Sequence, residues 1–216
     1  MSRAYFVHFH GAAQAGPALV AALESALRAD PAGQSVVLHT PVLLPGADPL
    51  PVAPDERLAL CQFNADMGDA IAARLDAIGR SIAGVNQIAH QTMAVETFRT
   101  APQAGSIVSF FVQYNGPARD RARFHAYYRA HHVPIVERMP GIRTITCYTP
   151  TAWSAPAGVT AVDYLQLVQV TFDDVADLQR MRGSPERREG LRDFANYPPF
   201  EGPVTHQGML GRRVGP

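Results

Sequence analysis

The chain repeats its own landmarks. Val7-His8-Phe9-His10-Gly11 has a counterpart in Val112-Gln113-Tyr114-Asn115-Gly116, and Leu38-His39-Thr40-Pro41 has one in Cys147-Tyr148-Thr149-Pro150. Cys61-Gln62-Phe63-Asn64-Ala65-Asp66 is answered by Val168-Gln169-Val170-Thr171-Phe172-Asp173, and His90-Gln91-Thr92-Met93 by His206-Gln207-Gly208-Met209. The matches keep their order, and their spacing drifts only as loops drift. One such match is coincidence; four in sequence argue for two copies of one unit.

Both copies follow one grammar. Each opens on a short strand with period-two patterning and aromatic or β-branched content, AYFVHFH in the first and SIVSFFVQYN in the second. A helix follows, PALVAALESALRAD with Pro17 at its favoured start, or RARFHAYYRAHH. A strand ending at Thr-Pro comes next, then a Pro/Gly-rich loop (PGADPLPVAPD; TAWSAPAGVTA) and a third strand. DMGDAIAARLDAIGRSI and DDVADLQRMR are the second helices, opening on acids that suit the positive helix end, and a last strand carries His-Gln-x-Met. The expected fold is α+β, with tandem ferredoxin-like βαββαβ repeats. A degenerate repeat spans 1–98, a second spans 105–216, and ETFRTAPQAG (96–105) links them. A four-stranded sheet with both helices on one face leaves its other face apolar, so the two copies are expected to pack sheet-to-sheet as a dimeric α/β barrel built as a pseudo-dimer.

Composition removes several function classes. Lys+Arg and Asp+Glu both number 19, so no net field selects nucleic acid or an anionic membrane. No stretch approaches the length of an apolar membrane span and the N-terminus lacks a long apolar core, which gives a cytoplasmic expectation. Cys61 and Cys147, each in an apolar segment, read as buried reduced thiols. At 216 residues with 47% hydrophobic content, the chain can build a core without staples. No glycine-rich dinucleotide fingerprint and no Gly-x-Ser-x-Gly elbow occurs.

Strand alternation places Phe6, His8 and His10 on one face of the first strand and Phe111, Gln113 and Asn115 on the matching face of its counterpart. Polar side chains recurring there fit a site, or simply strand ends reaching water. His8 and His10 could share a metal ion, but no acid stands beside them and the second copy replaces them with amides, so no metal is expected. His90 and His206 recur in both copies, which suggests a shared structural task such as a bond to a backbone carbonyl; His39 matches Tyr148.

The most informative stretch is YYRAHHVPIVERMPG (127–141). Phe124, Tyr128 and His132 fall on one helix face, His131 turns towards solvent, and Pro134 should loosen or end the helix near His132. The first copy places Leu23 at the matching position. His132 either satisfies carbonyls freed by Pro134 or serves a site. FHAYYRAHHVPIVERMPGIR, followed by VQVTFDDVADLQRMRGSPE, resembles the EthD-like family of dimeric α/β barrel proteins. His132, Val133, Pro134, Met139, Pro140 and Gly141 carry the resemblance, over about residues 105–210.

The resemblance implies a small-molecule site between sheet and helices, with the family's histidine at His132. Related barrels include cofactor-free isomerases, cyclases, lyases and oxygenases, as well as haem enzymes, acting on lactones, polyketides and aromatic compounds. The resulting expectation is a lyase, isomerase or cyclase without an organic cofactor. His132 is its general acid or base, projecting into the hollow shared by the two halves, with Tyr128 and His206 beside it. His8, His10, Gln113, Asn115, Phe124, Tyr148, Trp153 and Tyr197 would bind substrate, Phe200 would help shape the pocket, and NYPPFEG (196–202) would form its rim. The alternatives are a binding or stress-response barrel, and an oxygenase that is either metal- or haem-dependent or cofactor-free. The partner is a small molecule, neither nucleic acid nor membrane, and a homodimer through the outer helices or the GRRVGP tail is possible in principle.

Overall fold

The computed structural model describes residues 2–44, 57–102 and 107–214. The PGADPLPVAPD loop, the end of the expected linker and the last two residues of the tail lie outside them. In chain order come β1 (Arg3–Gly11), α1 (Gly16–Arg28), β2 (Val37–Pro41), β3 (Arg57–Asn64), α2 (Asp69–Ser81) and β4 (Val85–Thr100). Then follow β5 (Ile107–Tyr114), α3 (Arg121–Tyr127), a π-helical turn (Tyr128–His132) and α4 (Val133–Glu137). The chain ends with β6 (Thr144–Pro150), β7 (Gln166–Phe172), α5 (Val175–Gly183), α6 (Pro185–Phe194) and β8 (Val204–Arg213).

The strands form one closed antiparallel barrel in the order β1-β3-β2-β8-β5-β7-β6-β4. In place of two stacked sheets, a single sheet closes on itself along two seams. At one, Val37–Pro41 of β2 pair with Met209–Arg213 of β8; at the other, Met93–Thr100 of β4 pair with β6. Residues 96–100, expected in the linker, are therefore strand, and Gly211–Arg213 of the tail bond within their own barrel instead of presenting a free segment for a second chain. Closure leaves no open edge.

Each strand now has an inner and an outer face, and both are covered. On β1, Tyr5, Val7 and Phe9 point outward and pack on Leu19, Leu23 and Leu27, the i, i+4, i+8 stripe of α1. Gly79 lets α2 approach the same face, because a Cβ there would stand 2.7 Å from the Phe9 ring. Val108, Phe110 and Tyr114 of β5 likewise face outward, against α3, α4 and α5. The alternate residues Phe6, Leu60, Met93, Phe111, Tyr148, Leu167 and Met209 fill the barrel interior.

The interior also holds a polar chain that joins equivalent residues of the repeated motifs. His39 Nε2 donates to Gln62 Oε1 (3.0 Å), Gln62 Nε2 to the Tyr148 hydroxyl (2.8 Å), Tyr148 to Gln169 Oε1 (2.8 Å) and Gln169 Nε2 to Ser109 Oγ (2.9 Å). Tyr148 thus has a structural task at the centre of the barrel. Apart from the half-buried Gln62, every link is a buried group whose bond replaces lost water.

His39 has no exposed surface, and burial holds its pKa down to about 4 despite the bond to Gln62. The unfolded ring takes a proton near 6.5, so between those values the unfolded chain binds more protons and stability falls as pH falls. Urea titrations from pH 7 to pH 4 are expected to show this loss, on the order of 3 kcal/mol from His39 alone. His39→Gln should flatten it; an unchanged pH slope in that variant would contradict the assignment.

Candidate active site at the helix-covered face

Asp120 caps α3, its side chain accepting from Arg123 N at 2.9 Å. The helix then runs toward Pro134, which has no amide hydrogen to donate. The helix loosens near His132, as expected, without ending there. One residue is absorbed in the π-helical turn, where Val133 N–H bonds back to Tyr128 O, and α4 continues with Pro134 in its first turn. Such turns arise where a helix accommodates an extra residue. Phe124, Tyr128 and His132 remain buried on one face, while His131 is exposed and stacks on Tyr127 at 4.4 Å.

This face is laid against the outside of the barrel. His132 consequently points into the layer between helices and sheet, and not into the hollow enclosed by the strands. Its Nδ1 stands 2.9 Å from Asp193 Oδ2, and the Tyr127 hydroxyl donates to Asp193 Oδ1 at 2.8 Å. A carboxylate can only accept, so Nδ1 carries the proton in this bond and Nε2 keeps its lone pair. Burial lowers the His132 pKa below its ordinary value, the Asp193 bond and charge oppose this, and Arg187 adds to the lowering. The ring is therefore a neutral base above that pKa. The Tyr128 ring lies 4.9 Å from His132 and the Tyr197 ring 5.3 Å away; burial pushes both phenols up, so each stays a neutral hydrogen-bond donor.

Asp193 escaped the sequence reading. It lies in the last full turn of α6, a helix that begins at Ser184-Pro185-Glu186, where Ser184 Oγ accepts from Arg187 N at 3.1 Å. A capping serine followed by proline is a helix-start signal that could have located it. Gly190, one turn earlier, gives α6 its close approach: a Cβ there would stand 3.3 Å from His132 Cε1.

His132, Tyr128, Met139, Met181, Arg187 and Phe110 border a cavity of about 40 Å³. Of the other expected site residues, the Tyr197 ring packs 5.3 Å from His132 and Phe124 packs against Tyr197 and Phe200, but neither Phe124 nor any residue of NYPPFEG lines the cavity. The remaining ones are elsewhere. His8, His10 and Gln113 are buried on the inner face of the barrel, with Asn115 beside Gln113, because strand alternation sends them away from the helices. Tyr148 belongs to the interior chain described above. Trp153 packs on Tyr5 at 5.5 Å in the core of the first half. His206 lies against the Phe110 ring at 5.2 Å and borders a different pocket.

His90 bonds to side chains, not to a backbone carbonyl through its ring: Nδ1 to the Tyr5 hydroxyl (3.2 Å) and Nε2 to Asp76 Oδ1 (3.1 Å). Among the described residues no three His, Cys, Asp or Glu gather as a metal-binding group. The cavity beside His132, about 40 Å³, is far below the roughly 300–1,000 Å³ of ligand and cofactor sites, so a substrate or a haem alike would need its walls to part.

Residues 116–197 match the EthD domain. No curated protein matches the chain. Among solved structures the chain is similar to an anthrone oxidase-like protein, with a TM-score of 0.63 at 11% identity over 98% of this chain and 91% of that one. It is similar to a protein from Lactobacillus acidophilus NCFM assigned as a monooxygenase (TM-score 0.55, 11% identity, 98% and 94% covered). A mutant chlorite dismutase from Candidatus Nitrospira defluvii also matches (TM-score 0.51, 11% identity, 96% and 90% covered). At such identities the likeness is one of fold. The match to the EthD domain over residues 116–197 lies in an eight-stranded antiparallel barrel similar to that of the dimeric α/β barrel proteins.

Proposed function

We propose that the chain is an enzyme in which His132, oriented by Asp193, removes a proton from an acidic C–H or O–H of a small aromatic, lactone or polyketide-like substrate. The supporting observation is the buried His132–Asp193 bond beside a cavity. It fixes the Nδ1–H tautomer and leaves the Nε2 lone pair as the base. The proton passes to Nε2 and the electron pair stays on the substrate as an enolate or phenolate. Tyr128, a neutral phenol, is the donor that would stabilise such an oxyanion. Return of the proton at another atom gives an isomerase, and loss of a leaving group gives a lyase. A cavity of about 40 Å³ holds a water or two, so substrate entry requires its walls to part. Met139 and Met181, unbranched and adaptable, are the walls best able to do so.

An oxygen-dependent variant of this reading draws on the names of the similar structures, a monooxygenase and an anthrone oxidase-like protein. There the carbanion formed by His132 would pass electrons to dioxygen. The acid–base step is common to both.

We also read the two halves as copies of one βαββαβ unit. In support, β4-β1-β3-β2 and β8-β5-β7-β6 are the same strand order, and the seams join the copies edge to edge. Leu23 occupies the first copy's position for His132 and is buried against the sheet, so chemistry of this kind is confined to the second half.

Purified protein should be offered a panel of phenols, lactones and polyketide-like aromatics in deuterated buffer, with solvent exchange followed by NMR and oxygen uptake by electrode. His132→Ala is expected to retain the fold and lower turnover about 10²–10⁴-fold. Asp193→Asn should lower it by a smaller factor. Because the neutral ring is the base, kcat/KM falls as pH drops through a limb below 6.5. Asp193→Asn moves that limb further down, since the carboxylate opposes the effect of burial. Full activity in His132→Ala would remove the residue from the mechanism. Gly190→Ala, which places a methyl against His132 and Met139, should raise KM several-fold; an unchanged KM would argue that substrate does not enter this cavity.

A further inference from the structure

A second pocket, of about 610 Å³, lies between α1, the ends of β2 and β3, and β8, with Phe110 of β5 and Arg182 of α5 also in its lining. Its volume falls within the roughly 300–1,000 Å³ of small-molecule sites. Val20, Leu44, Leu58 and Phe110 are among its apolar walls. The charged side chains among its described lining residues are Arg57, Arg182 and Arg212, with no carboxylate. Phe110 is the one described residue that it shares with the cavity beside His132.

Arg57 is the unusual member. Arg212 ion-pairs with Glu24, whereas Arg57, 4% exposed, has no Asp or Glu within ion-pair distance among the described residues. One of its terminal nitrogens donates to the neutral Gln113 amide, and its Nε–H has no acceptor among the described residues. Burial brings its pKa down to about 10, which still leaves it charged at neutral pH. A buried, uncompensated guanidinium is costly, and it persists where an anion completes it. Guanidinium matches carboxylate in plane and in donor spacing. We propose that this pocket binds an apolar monocarboxylate, its carboxylate received by the Arg57 guanidinium and its hydrocarbon body lying on Val20, Leu44, Leu58 and Phe110. Arg57, the buried guanidinium without a carboxylate partner among the described residues, set against apolar walls, suits a singly charged head on an apolar tail better than a phosphate, which calls for several donors.

The test is isothermal titration of the whole chain with octanoate and with 1-octanol, two probes of equal tail and different head. Octanoate should bind at least tenfold more tightly than octanol. Arg57→Met, which removes an uncompensated buried charge and is expected to fold, should bind the two alike. Val20→Trp, which fills the pocket from α1, should bind neither, with melting curves confirming that both variants are folded. His132→Ala should bind octanoate as the native chain does. The proposal is overturned by no octanoate binding at millimolar concentration, by equal affinity for the two probes, or by a preference that survives Arg57→Met. Binding that survives Val20→Trp but is lost in His132→Ala overturns it too, since the acid would then occupy the other cavity.

Discussion

Pairing of β2 with β8 and of β4 with β6 is the constraint on which the rest of this molecule depends. A sheet closed on itself exposes no ladder groups at an edge, but it doubles the surface that must be kept dry, because both faces of every strand need cover. The outer face is covered by helices and the inner face by side chains alone. That is why Ala4–His10 of β1 are all buried and why β7 has no exposed residue. It also decides where chemistry can lie. A side chain on a helix reaches only the outer face, so a histidine on the α3–α4 helix and polar residues on the inner strand face cannot share a site.

The same device occurs on both sides of the barrel. In the first half, His90 bonds to Asp76 of α2 and to the Tyr5 hydroxyl; in the second, Asp193 of α6 bonds to both His132 and Tyr127. Their surroundings separate them. His90 sits on a strand with no exposed surface and both ring nitrogens bonded to side chains, a sealed arrangement that ties α2 to the sheet. His132 sits at the end of a π-helical turn and borders a cavity, with one nitrogen held by Asp193. The first is built for stability, and the second keeps a lone pair available.

Much of this was legible in the sequence because it rests on periodicity. The repeated strand motifs located all eight strands, and alternation sorted Phe6, His8 and His10 from Tyr5, Val7 and Phe9 correctly. Spacing along the helix put Phe124, Tyr128 and His132 on one buried face. Three-dimensional placement was harder to read. Period-two patterning says which residues share a face without saying which face is concave, so His8, Gln113 and Tyr148 were joined to a site on the other side of the sheet. Pro134 signalled a helix that loosens or ends near His132, and it loosens, in a π-helical turn closed by the bond from Val133 N–H to Tyr128 O. Asp193 was missed because α6 is short and charged, with no apolar stripe to announce it, and its partner lies 61 residues away.

The tautomer of His132 tests the account most directly. Nitrogen-15 NMR of imidazole-labelled protein, titrated from pH 8 downward, reports which ring nitrogen bears the proton and at what pH the second one is taken up. The account predicts a neutral ring protonated on Nδ1, with Nε2 taking its proton below pH 6.5. A neutral ring protonated on Nε2, or a ring already doubly protonated above pH 6.5, would contradict it.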